Sequence, residues 1–198
     1  RQSPTRGPLD PHLQPIHLAQ SYLSGGADAI SILTEEHYFK GKVDDLISVK
    51  HATNSVILRK DFIISTEQII ESVHLGADAI LLIMAILSQK EAKQLFDFAK
   101  ACQLDVLVET HNEQEIKRAL AIGADIIGIN NRDLTTFTVS IDTSFGLIES
   151  LPKSVVTVSE SGITTIEQAQ ALYHAGFDAL LIGESLITDP NCQNKIQS

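Results

Sequence analysis

The chain has 198 residues, enough for one substantial domain or two small ones. Hydrophobic residues make up 43% and charged residues 20%, a balance that builds a packed core and excludes a disordered chain. Fifteen Lys and Arg against twenty-five Asp and Glu leave a formal charge of −10, which excludes a protein made to grip a nucleic-acid backbone but not a local site for a small anion.

The two cysteines, Cys102 and Cys192, lack metal or redox spacing and suit a reducing compartment, so a cytoplasmic location is expected. The longest apolar run, 79–87, is too short to span a bilayer, and no apolar leader follows Arg1. No membrane partner is expected. The only methionine is Met84, so the chain is expected to be part of a longer one that continues upstream.

In chain order, a helix is expected at 15–24 and a strand at 29–34, then a helix at 43–50 and a strand at 56–59. A helix at 66–75 leads to a strand at 79–83, and a helix at 88–102 to a strand at 105–109. The rest reads helix 113–122, strand 126–130, helix 143–150, strand 155–159, helix 166–175 and strand 179–183. Ser88 and Glu91 make a capping-box signal, and Thr165 with Gln168 a weaker one. Gly26-Ala27-Asp28-Ala29-Ile30 recurs at Gly76 to Ile80, with variants starting at Gly123 and Gly176. In each copy the glycine stops a helix in a left-handed cap, and the following residues open a buried strand.

Seven strands alternating with helices imply a parallel sheet in a single domain covering residues 1–198. The repeat of two β-α units fits the alternate-strand layers of a TIM (β/α)8 barrel. The chain opens on a loop and a helix, as though the first barrel strand and a helical extension lay upstream. An open doubly wound sheet is the alternative, but no G-x-G-x-x-G follows any strand. Open barrel edges would let the chain stand as a monomer or pair as a dimer.

In such a barrel the chemistry gathers at the C-terminal ends of the strands. Those ends read Arg59-Lys60-Asp61-Phe62, Glu109-Thr110-His111, Asn130-Asn131-Arg132, Ser159-Glu160-Ser161-Gly162 and Gly183-Glu184-Ser185. Side chains alternate along a strand, so one of Arg59 and Lys60 enters the mouth. A lysine and a glutamate converging on an apolar floor form an acid/base pair. Lys60 or Glu109 alone reads equally as half of a structural ion pair. Together with Asn130, Glu160 and Ser161 they read as a site. Gly162 and Gly183 close the last two strands, where backbone N–H groups of barrel loops hold phosphate, with Ser3 and Arg6 as upstream contributors. No histidine pair has metal-ligand spacing, so no metal is expected, and His111 is the one histidine at a strand end. Tyr38 and Phe39 cover a ligand or pack their own loop, while Glu35-Glu36 reads as a solvated loop pair.

These strand ends closely resemble those of indole-3-glycerol-phosphate synthase, a barrel enzyme of tryptophan biosynthesis. Ser3-Pro4-Thr5-Arg6-Gly7 is similar to that family's S-P-S-x-G loop, and Leu58-Arg59-Lys60-Asp61-Phe62-Ile63, Gly128-Ile129-Asn130-Asn131-Arg132 and Ser159-Glu160-Ser161-Gly162-Ile163 match its pattern. The match runs from residue 1 to about 188. The resemblance implies a cofactor-free lyase that closes 1-(2-carboxyphenylamino)-1-deoxyribulose 5-phosphate to indole-3-glycerol phosphate with loss of CO2 and water. It implies Lys60 as proton donor, Glu109 as base, and Asn130, Glu160 and Ser161 as polar contacts to the substrate. Phe39, Leu81, Leu134 and Leu181 would pack the aromatic ring, with Arg132 at its carboxylate. Ser3, Gly162, Gly183 and Glu184 would hold the phosphate. The resemblance also implies a glutamate and a second lysine on a strand ahead of residue 1, so weak or no activity is expected of these 198 residues alone. A sister barrel such as phosphoribosylanthranilate isomerase, or a non-catalytic barrel fragment, is the alternative.

Overall fold

The computed structural model describes residues 14–187 and the backbone of two short antiparallel strands, β1 (Gln2–Ser3) and β2 (Gly7–Pro8). Arg6, Cys192 and the side chains of Ser3 and Glu184 lie outside the described residues. Seven strands follow: β3 (Ala29–Leu33), β4 (Val56–Lys60), β5 (Ala79–Ile83), β6 (Asp105–Thr110), β7 (Ile126–Asn130), β8 (Val156–Glu160) and β9 (Ala179–Leu181). They pair in parallel, each with its neighbour in the chain, so the sheet is a barrel wall running from β3 to β9. Parallel neighbours need a crossover, and helices supply it: α1 (Pro15–Ser24), α2 (Val43–Thr53), α3 (Thr66–Leu75), α4 (Gln89–Ala101), α5 (Glu113–Ile122), α6 (Asp142–Leu147) and α7 (Ile166–Ala175), with a short α8 (Glu184–Ile187) at the end. This is the (β/α)8 barrel architecture with seven of its strands among the described residues.

Alternation along the strands divides the apolar residues into two layers. Ile80, Leu82, Val106, Val108 and Ile127 face outward and are covered by α3, α4 and α5 through Ile69, Leu95, Phe96 and Ala119. Leu81, Ile83, Leu107 and Val158 face inward and meet Leu58, Phe62, Ile126 and Leu181. The inner layer is the floor of the barrel mouth.

The repeated Gly-Ala-Asp has two separate functions. Gly76 and Gly123 end α3 and α5 at φ 84° and 89°, a left-handed conformation that L side chains resist. The aspartate reaches back to the start of the preceding strand. Asp78 Oδ2 accepts from Ile57 N at 2.7 Å and from Lys50 Nζ at 2.6 Å, and Asp178 Oδ2 accepts from Thr157 N at 2.8 Å. In these two copies the aspartate therefore pins the bottom of two adjacent strands.

Several ends differ from expectation. α2 runs to Thr53, because the left-handed Asn54 (φ 51°) closes it by donating to Lys50 O. β8 is one residue later than expected and includes Glu160, because Val155 N is held by Pro152 O in a turn. The helix expected at 143–150 is α6 followed by a 3-10 turn at Ile148–Ser150. β9 stops at Leu181, which places Gly183 in the loop. Ser88 and Thr165 both form complete capping boxes. Among the described residues no helix is long and apolar enough to cross a membrane.

Candidate active site

The R-K-D-F segment shows how a strand end sorts its side chains. Arg59 faces the helices and is 3% exposed. Its guanidinium donates to Thr34 Oγ1, Gln68 O and Ser72 Oγ, and pairs with Asp61 at 3.1 Å and Glu71 at 2.7 Å. Asp61 Oδ2 also accepts from Thr34 Oγ1 at 2.6 Å. With Arg59 fixed outside, alternation sends Lys60 into the mouth above Leu58, and Phe62 joins the inner floor.

Lys60 Nζ lies 3.3 Å from Glu160 Oε2 and 3.5 Å from Glu109 Oε2. Both carboxylates are almost wholly buried, at 1% and 2% exposure, whereas the lysine side chain keeps 25%. One cation thus serves two buried acids. Burial alone would lower the Lys60 pKa, but the charges of Glu160 and Glu109 outweigh it and the net direction is up. Burial pushes Glu160 up to about 7; Lys60 opposes this and Glu109 reinforces it. Near neutral pH this carboxyl is therefore poised between donor and acceptor.

Strand register builds the remainder of the cluster. Glu109 stands opposite Gly128, and Asn130 opposite Glu160. A Cβ at Gly128 would collide with Glu160 Oε1, so the glycine leaves room for that carboxylate to lie across β7. Glu160 Oε1 itself is buried without a hydrogen-bond partner. Asn130 Oδ1 accepts from Arg132 N at 3.0 Å, and Arg132 is half-buried at the mouth.

Outside the barrel wall, Asn131 Nδ2 donates to Ser159 Oγ and to Ser161 O, both at 3.1 Å, and Asn131 Oδ1 accepts from Ser144 N. This buried network fixes the turn at Ser161 and Gly162, where φ is 66° and 78°. Gly162 packs against Val139 with no room for a Cβ. Ser185 Oγ donates to Ile163 O at 2.8 Å, tying the loop after β9 to the loop after β8. Gly183 lies on that tied loop, exposed and with open space where a Cβ would be.

The structure brings Lys60, Glu109, Glu160, Leu81 and Leu181 together at one mouth. Phe39 is half-buried on the loop after β3, with its ring 6.2 Å from that of Phe62. Leu134 lies apart from the apolar floor, 36% exposed on the loop after β7. One expectation is corrected. Glu35 is not a solvated loop residue: it is buried, and its carboxylate accepts from the backbone N–H groups of His37, Tyr38 and Phe39 at 2.7–2.9 Å. Burial pushes its pKa up, but those three donors outweigh burial and hold it below the usual range. Glu36 is exposed, as expected.

The whole chain, residues 1–198, matches the family model described as indole-3-glycerol phosphate synthase. A synthase of that name from Chloroherpeton thalassium is 48% identical over 188 residues, covering 95% of this chain and 72% of the relative. The Caldanaerobacter subterraneus subsp. tengcongensis synthase is 49% identical over 187 residues, with 94% and 73% covered. The Campylobacter curvus synthase is 41% identical, with 100% and 76% covered. Among solved structures, a thiamine phosphate pyrophosphorylase from Pyrococcus furiosus superposes with a TM-score of 0.69 at 16% identity, over 96% of this chain and 87% of that one. A mandelate oxidase mutant gives 0.71 at 13%, over 92% and 64%. At such identities these two speak for the barrel fold alone. The strand-end motifs, the family match over residues 1–198 and relatives identical at nearly half of the matched positions agree, and the chain belongs to the indole-3-glycerol phosphate synthase family.

Proposed function

We propose that the mouth of this barrel carries the synthase reaction, with Lys60 as the acid and Glu109 as the base. The observation behind this reading is Lys60 Nζ held between two buried carboxylates above an apolar floor. The aryl carbon bearing the carboxylate attacks the ketone, and Lys60 delivers a proton to the ketone oxygen. The C–C bond to the carboxylate then breaks, CO2 leaves and the aromatic ring is restored. The hydroxyl on the former ketone carbon departs as water with a second proton, as Glu109 takes a proton from the neighbouring carbon.

Asn130, Glu160 and Ser161 contact the ribulose hydroxyls and the aryl amine. Leu81, Leu181 and Phe39 enclose the aromatic ring, and Arg132 meets its carboxylate before that group is lost. The phosphate rests on backbone N–H groups around Gly162, Gly183 and Glu184, with Ser3 beside it. The tie between Ser185 and Ile163 keeps these two loops together, which suits one anion shared between them. No cofactor is required, since recovery of aromaticity drives the loss of CO2. A reaction on a small phosphorylated substrate suits a cytoplasmic enzyme.

The reading extends to a glutamate and a second lysine supplied by a strand ahead of residue 1. The test is a joined polypeptide in which the segment of the Chloroherpeton thalassium synthase preceding the match is fused to residues 1–198. Its product is followed by indole absorbance and fluorescence. Formation of indole-3-glycerol phosphate is expected. A folded joined polypeptide that forms none would overturn the reading.

A further inference from the structure

Behind Glu109, on the side away from Lys60, stands His111. Its Nε2 lies 3.4 Å from Glu109 Oε1, and its Nδ1 lies 3.0 Å from Glu115 Oε2. Glu115 is the third residue of α5 and holds the histidine at a second point, accepting from His111 N at 2.9 Å. Asn112, the cap of α5, donates to the other oxygen of Glu115 at 2.8 Å. The imidazole is therefore clamped by its own backbone and by the start of the next helix. Its Nε2 is buried, makes no hydrogen bond, and lies 3.4 Å from the carboxylate oxygen of Glu109 that does not pair with Lys60.

The reaction proposed above gives this arrangement a use. Two protons go onto the ketone oxygen, which leaves as water, and one comes off the neighbouring carbon. Every turnover therefore draws one proton from solvent. Glu109 and Glu160 are sealed from water, whereas His111 and Glu115 each keep 13% exposure.

We propose that His111 is a positioning and relay residue: clamped by Glu115, it orients the Glu109 carboxylate and passes it the proton that each turnover draws from solvent. This rests on the assignment of Glu109 as the base. The proton moves from water to the Glu115–His111 pair, from Nε2 to Glu109 Oε1, and from Glu109 Oε2 to Lys60, which spends it on the ketone oxygen. A proton from the Glu115 carboxyl enters at Nδ1 as the Nε2 proton passes to Glu109, and the ring resets when its proton returns from Nδ1 to Nε2 by way of Glu115 and solvent. The charged groups facing His111 are Glu109 on β6, Glu115 on α5, Glu160 on β8 and Asp133 on the loop after β7, with Lys60 beyond the two buried acids. Burial works against the imidazolium, but Glu115, Glu109 and Glu160 outweigh it, and the ring holds its proton above the usual range for histidine.

Two measurements test this. In the 198-residue chain, NMR titration of the His111 ring is expected to give a midpoint above the ordinary histidine value, and a lower midpoint in Glu115→Gln. A midpoint unmoved by Glu115→Gln overturns the wiring. In the joined polypeptide, His111→Ala is expected to lower kcat about tenfold to a hundredfold with KM held within about twofold, and free imidazole to restore part of the loss. Glu115→Gln keeps the histidine and should show a smaller loss of the same kind, which covers a failure of His111→Ala to fold. An unchanged kcat, or a loss carried in KM and deaf to imidazole, overturns the proposal. If the joined polypeptide is inactive with His111 in place, the assignment of function fails instead, and the titration alone decides the wiring.

Discussion

Glu160 is the residue where burial, charge and register act together most strongly. It is 1% exposed, shares one lysine with Glu109, and lies over a glycine that leaves room for it. Its folded pKa of about 7 stands above the ordinary carboxylate value of 4.5. The unfolded chain therefore ionises first as pH rises, so the stability from this group is full below about 4.5 and is lost as pH climbs through about 7. His111, also raised, adds a loss in the same direction. Glu160→Gln should flatten the fall in stability between pH 5 and pH 8 without abolishing it, as read from urea unfolding at both values. An undiminished slope would contradict the account of this carboxyl. The sequence made Glu109, Asn130 and Glu160 legible as polar groups gathered at strand ends. It did not reveal which of Arg59 and Lys60 turns inward. That choice depends on Thr34, Ser72 and Glu71, which are distant in sequence and build the socket for Arg59. Gly128 carried a usable signal, a glycine within a strand, whose meaning depends on the register with β8.

Among the elements, the loop between β3 and α2 shows how a carboxylate can organise backbone. Glu35 gathers three consecutive N–H groups and so sets the position of Phe39 over the mouth. Its acidic neighbour made it look like a solvated pair, because nothing in the local sequence announces that a loop folds back on its own first residue. Glu35→Ala frees those donors, and the expected result in the joined polypeptide is a rise in KM of about tenfold with kcat less affected, since ring packing rather than acid/base chemistry is disturbed. Unaltered KM would show that the loop does not position substrate. The helices were more legible than the loops. Ser88 with Glu91 and Thr165 with Gln168 predict the starts of α4 and α7, because a cap is written within four residues. The helix expected at 143–150 instead becomes α6 and a 3-10 turn, with Ser144 buried against Asn131 and Ser159, partners that local sequence does not announce.

At the scale of the whole molecule, the sheet runs in strict chain order and its two edges are β3 and β9. The barrel was legible because strand–helix alternation and the Gly-Ala-Asp repeat both survive without any tertiary knowledge. Parallel edges are templates for pairing, and a second copy or an upstream strand satisfies them. Sedimentation of the 198-residue chain is expected to show dimer at micromolar concentration, and a monomer stable across that range would show that the edges need no partner. The central claim remains that Lys60 and Glu109 at this mouth are the acid and base of the synthase reaction. Its most direct test is single-turnover formation of indole-3-glycerol phosphate by the joined polypeptide carrying Lys60→Ala or Glu109→Gln. Each substitution is predicted to slow the chemical step at least about a hundredfold while the folded barrel persists. A chemical step within a few-fold of the unsubstituted protein in either variant would contradict the account.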